Sequence, residues 1–215
     1  MLFEKKEYKE RLKKVKISMQ KKGIDLLVSQ DPANMNYLTG YDAWSFYYAQ
    51  CVLVHINEDE PICFVRAQDG GGAYIKTYLK DENIIEYDEK YIHTWPLHPY
   101  QYLTEIIKKR KWDNLNIGLE MDSHYFTAFC YETIKKGLPN AKLKDAERLV
   151  NWVRVVKSNA EILGYACLID RSGGKSKIKN KIVSQVELKI ETYEKDNIPE
   201  RLRKIKPIKP GSRNL

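Results

Sequence analysis

The sequence predicts an α/β domain, a mixed sheet covered by helices on both faces, followed by a basic C-terminal extension. Three observations carry this. Short apolar runs alternate with helix-period segments along the first 150 residues, as in a sheet whose strands are joined through helices. Two of the runs, 50–56 and 61–66, are separated only by Asn57-Glu58-Asp59-Glu60; they read as a hairpin, which makes the sheet mixed rather than all-parallel. Finally, residues 171–215 hold thirteen Lys/Arg against five Asp/Glu, whereas residues 1–170 are balanced, so the net charge of +8 belongs to the extension.

The elements follow in order. Tyr8, Leu12, Val15 and Met19 form a helical stripe, stopped at Gly23. Ile24–Ser29 is a short buried strand. Asp31 as N-cap and Pro32 at the first helical position open a short helix over 33–38. After the hairpin, Asp69-Gly70-Gly71-Gly72 opens a helix that reaches Leu79. A glycine-rich turn between strand and helix can cradle a phosphate, but the G-x-G-x-x-G and Walker spacings are absent, and a helix-start turn is the reading adopted. Asn83–Tyr87 is a strand and Tyr91–Tyr100 is irregular. Tyr100–Lys109 is a helix with Leu103, Ile106 and Ile107 inward. Asn116–Glu120 is a strand, Ser123–Lys136 a helix closed by Gly137-Leu138-Pro139, and Ala141–Lys144 a last strand. Residues 1–150 form the domain and 151–170 a junction helix, amphipathic over Trp152–Lys157 and capped again by Ser158 toward Glu161. Residues 171–215 form the extension. Within it, 174–195 reads as one charged helix and the last twenty residues as disordered, ending in Lys206-Pro207-Ile208-Lys209-Pro210.

Composition excludes several classes. No apolar run approaches the ~20 residues of a membrane span, and the charged N-terminus is unlike a secretory signal, so the chain is read as cytoplasmic. Cys51, Cys63, Cys130 and Cys167 form no C-x-x-C pair, which fits a reducing compartment rather than a zinc ribbon. The extension carries Tyr193 as its only aromatic. Without a stacking platform it is not read as a nucleic-acid surface; a solvated extension, with weak salt-sensitive polyanion contact as the alternative, fits better.

Candidate site residues cluster in one loop. Tyr41, Trp44, Phe46, Tyr47 and Tyr48 place five aromatics within eight residues, too dense for a solvated segment. Core packing, a dimer interface and a lid over a small substrate all account for them. His93, Trp95 and His98 form a second cluster, but no third ligand is spaced to complete a metal site. There is no G-x-S-x-G, and Cys130 has no local activating histidine. Asp42 and Glu120 would make a carboxylate pair only if the fold brought them together. No catalytic residue and no metal ligand is assigned.

Two segments carry a family resemblance. Asn34-Met35-Asn36-Tyr37-Leu38-Thr39-Gly40-Tyr41 resembles the N-x-x-Y-x-[TS]-G segment of creatinases, prolidases and Xaa-Pro aminopeptidases. Gly40-Tyr41-Asp42-Ala43-Trp44-Ser45-Phe46-Tyr47 looks most like the ectoine hydrolase branch. Arg154-Val155-Val156-Lys157-Ser158-Asn159-Ala160-Glu161-Ile162 is similar to the junction that joins their N-terminal domain to the pita-bread catalytic domain. The resemblance covers about residues 8–163. It implies a ribonuclease-H-like three-layer α/β/α domain, non-catalytic, that serves dimerisation and closes the substrate pocket of a partner's metal-dependent amidohydrolase or dipeptidase domain. On that basis Tyr41, Trp44, Phe46, Tyr47, Tyr48 and His98 are expected as pocket-lid residues, His98 because His98-Pro99 has counterparts in ectoine hydrolase-like sequences. Aligned without gaps, Phe46 falls on an aromatic that contacts ligand in creatinases. The arginine that pairs there with the substrate carboxylate falls on Tyr48, which argues against creatine. The family's two divalent metal ions require two Asp, one His and two Glu from the catalytic domain. The last histidine here, His124, precedes the junction, so the chain reads as truncated or rearranged after Ile162, with no cofactor of its own. The expected partner is a second copy or a full-length relative; the alternative is a stand-alone interaction module.

Overall fold

The computed structural model describes residues 2–42, 45–162, 165–171, 177, 182–189, 191 and 193–205. They fall into two compact units, Met1–Ala160 and Glu161–Leu215. Trp44, the lysines at 175, 179 and 181, and the Pro-rich end from Lys206 lie outside the described residues.

The first unit begins with α1 (Lys5–Lys21), β1 (Leu26–Ser29) and α2 (Pro32–Thr39), and continues with the hairpin β2 (Cys51–His55) and β3 (Ile62–Arg66). Next come α3 (Ala67–Lys76), β4 (Ile84–Tyr87), α4 (Pro99–Lys109), β5 (Asn116–Leu119), α5 (Ala128–Gly137), β6 (Lys142–Asp145) and α6 (Leu149–Val155). The strands form one sheet in the order β4-β3-β2-β1-β5-β6. The β1–β2 and β2–β3 pairs are antiparallel, and the other three are parallel.

Strand alternation divides the core in two. Leu27, Val52, Val54, Cys63 and Val65 face a cluster with Leu12, Val15 and Met19 of α1, Met35 and Leu38 of α2, and Leu149 and Val150 of α6. Leu26, Val28, Leu53, Phe64, Ile117 and Leu119 face the opposite cluster, with Tyr100, Leu103 and Ile107 of α4 and Ile134 of α5. The predicted three-layer mixed sheet is therefore present. Burial on both faces explains why the central strands read as continuous apolar runs.

Several expectations change. Gly70–Gly72 lie inside α3 rather than opening it: Arg66 is the N-cap, and Gly70 sits where a Cβ would stand 1.5 Å from Glu86 Oε1. Gly70 accommodates the packing of Glu86, and the run lies within the helix rather than at its start as a phosphate cradle. The helix expected from Ser123 begins at Ala128, because the Thr127 hydroxyl accepts from Cys130 N–H and sets the N-terminus there. The junction helix expected over 151–170 also fails. α6 ends at Val155, and the Ser158 hydroxyl donates to Glu7 Oε1 instead of starting a new helix.

The second unit contains β7 (Tyr165–Arg171), β8 (Ile182–Leu188) and the helical turn α7 (Glu200–Arg203). β7 and β8 pair in parallel. A strand thus occupies part of the expected charged helix, because Ile182, Val183 and Val186 are β-branched and favour an extended chain. The described part of the last twenty residues likewise includes a helical turn.

Candidate functional site

The two resemblance segments meet at Asn34, which is held by Glu120, the residue that follows β5. Its carboxylate is buried and accepts from the Ser29 hydroxyl at 2.7 Å, Gln30 N–H at 2.8 Å, Asp31 N–H at 3.0 Å and Asn34 Nδ2 at 2.7 Å. Burial pushes the carboxyl pKa up, and these four donors oppose the rise. Asn34 Nδ2 also donates to Asn151 Oδ1 at 2.9 Å, and Asn34 Oδ1 accepts from Arg154 Nη1 at 2.8 Å. Asp42, by contrast, is exposed, and the carboxylate pair considered from sequence does not form around these contacts.

The rest of the N-x-x-Y-x-T-G segment is equally structural. Asp31 Oδ1 accepts from the Ala33 and Asn34 N–H groups and caps α2. The Thr39 hydroxyl donates to Met35 O and accepts from Tyr41 N–H. Gly40 adopts φ +84°, and a Cβ there would stand 2.9 Å from the Tyr8 hydroxyl and 3.1 Å from Lys76 O. Both the left-handed backbone and the close approach require glycine. Nearby, the buried Arg11 donates to Glu7 Oε1 at 2.9 Å and stacks over Phe3, Tyr8 and Tyr37. Burial would raise the Glu7 carboxyl, but Ser158 and Arg11 more than offset it and the net shift is downward.

The aromatic residues separate into two groups. Tyr41 is buried in the core beside α2 and α3, which corrects its expected place in a lid. Phe46, Tyr47 and Tyr48 stay at the surface. Tyr47 is 61% exposed, and its ring lies 4.8 Å from that of Tyr48; Phe46 touches Tyr47 and Tyr125. Tyr48 is held from behind: the Arg66 guanidinium lies over its ring at 4.4 Å and is itself fixed by Glu89 through hydrogen bonds at 2.6 and 2.9 Å.

Opposite stand residues 91–98 and the start of α5. Trp95 is 80% exposed and packs on Phe129 at 5.2 Å; His93, at φ +53°, approaches Tyr48 at 5.8 Å. Between the two walls lies an open pocket of about 390 Å³, lined chiefly by Tyr47, Tyr48, His93, Trp95, His98 and Phe129, with no Asp, Glu, Lys or Arg in its lining.

His98 is therefore at the pocket, but as an anchor. It is the N-cap of α4: its Nδ1 accepts from Tyr100 N–H at 3.1 Å, and Gln101 completes a capping box. Nε2 then carries the proton and faces Cys130 Sγ at 3.6 Å. Burial drives the imidazole down to about 4, and burial raises the Cys130 thiol. Both groups are neutral at pH 7, and Nε2 offers no lone pair to the thiol, so the pair is not an activated nucleophile. Among the described residues, no three His, Cys, Asp or Glu side chains converge as metal ligands.

Sequence reasoning missed the Glu120 hub, Tyr91, Phe129 and the Arg66–Glu89 brace. A lone carboxylate after an apolar strand carries no signal of its partners, and Phe129 reads as an ordinary helix residue.

The chain matches the Creatinase/Prolidase N-terminal domain over residues 11–156. It is 44% identical over 161 residues to an ectoine hydrolase of Halomonas elongata, covering 74% of this chain and 40% of that protein; the chain thus spans less than half the length of that relative. A second likeness is 53% identity over 55 residues to an orotate phosphoribosyltransferase of Methylorubrum populi, covering 26% of this chain and 28% of that one. In structure, a proline dipeptidase from Streptococcus pneumoniae superposes with a TM-score of 0.54 at 18% identity, covering 68% of this chain and 98% of that one; at that identity the likeness speaks to fold alone. With the matched stretch taking in the whole six-stranded sheet and the motif pair joined through Asn34, the chain belongs to the creatinase/prolidase N-terminal domain family.

Proposed function

We propose that the first unit is the non-catalytic N-terminal part of a metal-dependent amidohydrolase or dipeptidase, related to ectoine hydrolases and Xaa-Pro dipeptidases. It serves dimerisation and closes a substrate pocket on a partner chain. The observation that carries this is the charge-free aromatic pocket between Tyr47–Tyr48 and Trp95–Phe129, which exposes large rings at the surface of the unit. Exposed aromatic patches of this kind mark contact surfaces, and an apolar wall beside a partner's metal site excludes water from the reaction. The two divalent ions belong to the partner's catalytic domain. Ectoine or a Xaa-Pro dipeptide is the substrate class, and the free buried thiols of Cys51, Cys63 and Cys130 suit a cytoplasmic setting.

The test is co-expression of the full chain with the Halomonas ectoine hydrolase, followed by native mass spectrometry. A mixed complex is expected. The pair Tyr47→Ala and Trp95→Ala should lower its yield at least tenfold without changing the melting temperature of this chain. A complex indifferent to both substitutions would remove the aromatic pocket from the interface.

A second reading concerns the second unit alone. The family match ends at residue 156, and the unit that begins at Glu161 runs to Leu215. The phosphoribosyltransferase likeness is 55 residues long, the length of that unit. We read residues 161–215 as a segment of phosphoribosyltransferase type joined to the creatinase/prolidase-type domain, in place of a solvated polyanion-binding tail.

A further inference from the structure

The second unit poses a packing problem that the first does not. β7 and β8 run parallel over six paired positions, from Tyr165↔Ile182 to Arg171↔Leu188, and among the described residues no third strand joins them. Parallel sheets occur buried on both faces and extended by further strands; a two-stranded ribbon alone is marginal in water. Apolar side chains here are left uncovered: Val183 is 56% and Leu188 45% exposed, and Tyr193 and Ile205 are exposed beyond them. Among the described residues the strand pair has open edges, and with Val183 and Leu188 of β8 uncovered it forms a surface suited to completion by another sheet.

We infer that this surface docks on the open sheet of a phosphoribosyltransferase-type chain, with β7 and β8 added to it as strands. The inference rests on reading residues 161–215 as the phosphoribosyltransferase-like segment. In the Methylorubrum enzyme the match takes in 28% of the chain, which leaves the larger part of that chain as the surface on which the unit would dock. Main-chain hydrogen bonds along the strand edge provide the affinity, and Val183 and Leu188 provide the apolar contact.

The experiment co-expresses the full chain with the Methylorubrum enzyme deleted for its matching 55 residues. Native mass spectrometry is expected to show a one-to-one complex, with slowed hydrogen exchange over 165–171 and 182–188. Val183→Lys with Leu188→Lys should cut the yield at least tenfold while the first unit melts unchanged. A parallel graft puts residues 161–215 in place of the matching segment in that enzyme. A soluble, active graft without a complex in the first arm overturns docking and leaves the segment assignment standing. A graft that does not fold overturns both. Association that occurs equally with the intact enzyme and dissolves in salt identifies basic-surface adhesion, and protection of the same amides in a homodimer identifies a second copy; either result overturns the proposal.

Discussion

At the scale of single residues, Glu120 holds Asn34, the residue through which the two motifs that carry the family resemblance meet. Removing a buried carboxylate leaves four donors without their acceptor, and each unsatisfied buried group costs about 1–3 kcal/mol, with partial relief from water. Glu120→Ala is therefore expected to destabilise the first unit by about 3 kcal/mol in urea denaturation, a loss that an exposed carboxylate such as Asp42 would not produce. His98 makes a prediction in pH. Its imidazole titrates at about 4 when folded, against about 6.5 unfolded. The unfolded chain therefore binds the additional proton between those values. The contribution of His98 is complete above about pH 6.5 and is lost as pH falls toward 4. His98→Asn keeps an N-cap acceptor and removes the titration, so the difference in urea midpoint between pH 7 and pH 4.5 should shrink relative to wild type. An unchanged difference would mean that His98 is already charged in the folded state.

At the scale of elements, close approaches rather than propensities set the layers. Gly137, at the end of α5, lies where a Cβ would meet Thr104 Oγ1 of α4 at 2.5 Å; Gly118 in β5 lies where one would meet Ile24 Cδ1 at 2.8 Å. Thr104 and Ile24 are buried and have little room to give. Gly118→Ala and Gly137→Ala should each cost about 1–3 kcal/mol by overpacking, measured as a fall in urea midpoint at constant slope. Gly71→Ala, where nothing lies within 4 Å, should be neutral or slightly stabilising through helix propensity. The three-glycine run thus divides by environment, although its sequence looks like one turn signal.

At the scale of the molecule, the chain holds one complete six-stranded layer system and one two-stranded unit whose strands lack neighbours among the described residues. No helix among those residues is long and apolar enough to cross a membrane. Given Mn²⁺ or Zn²⁺, the chain alone is expected to hydrolyse neither a Xaa-Pro dipeptide nor ectoine, read as product release by chromatography. Stoichiometric metal uptake with turnover would overturn the non-catalytic reading.

The fold of the first unit was legible because its signals are local. The Tyr8–Met19 stripe, the Asp31-Pro32 start and the hairpin at 57–60 each need only a few neighbouring residues, and the N-x-x-Y-x-T-G and R-x-x-K-S segments named the family. The sheet order, the burial of Tyr41, the capping role of His98 and the Glu120–Asn34–Arg154 network were decided by tertiary structure. Each depends on residues that are distant in the chain but adjacent in space, 86 positions apart for Asn34 and Glu120. In the second unit the Lys-rich composition suggested one charged helix over 174–195, yet β8 pairs with β7 because strand stability comes from cross-strand neighbours, which composition does not register.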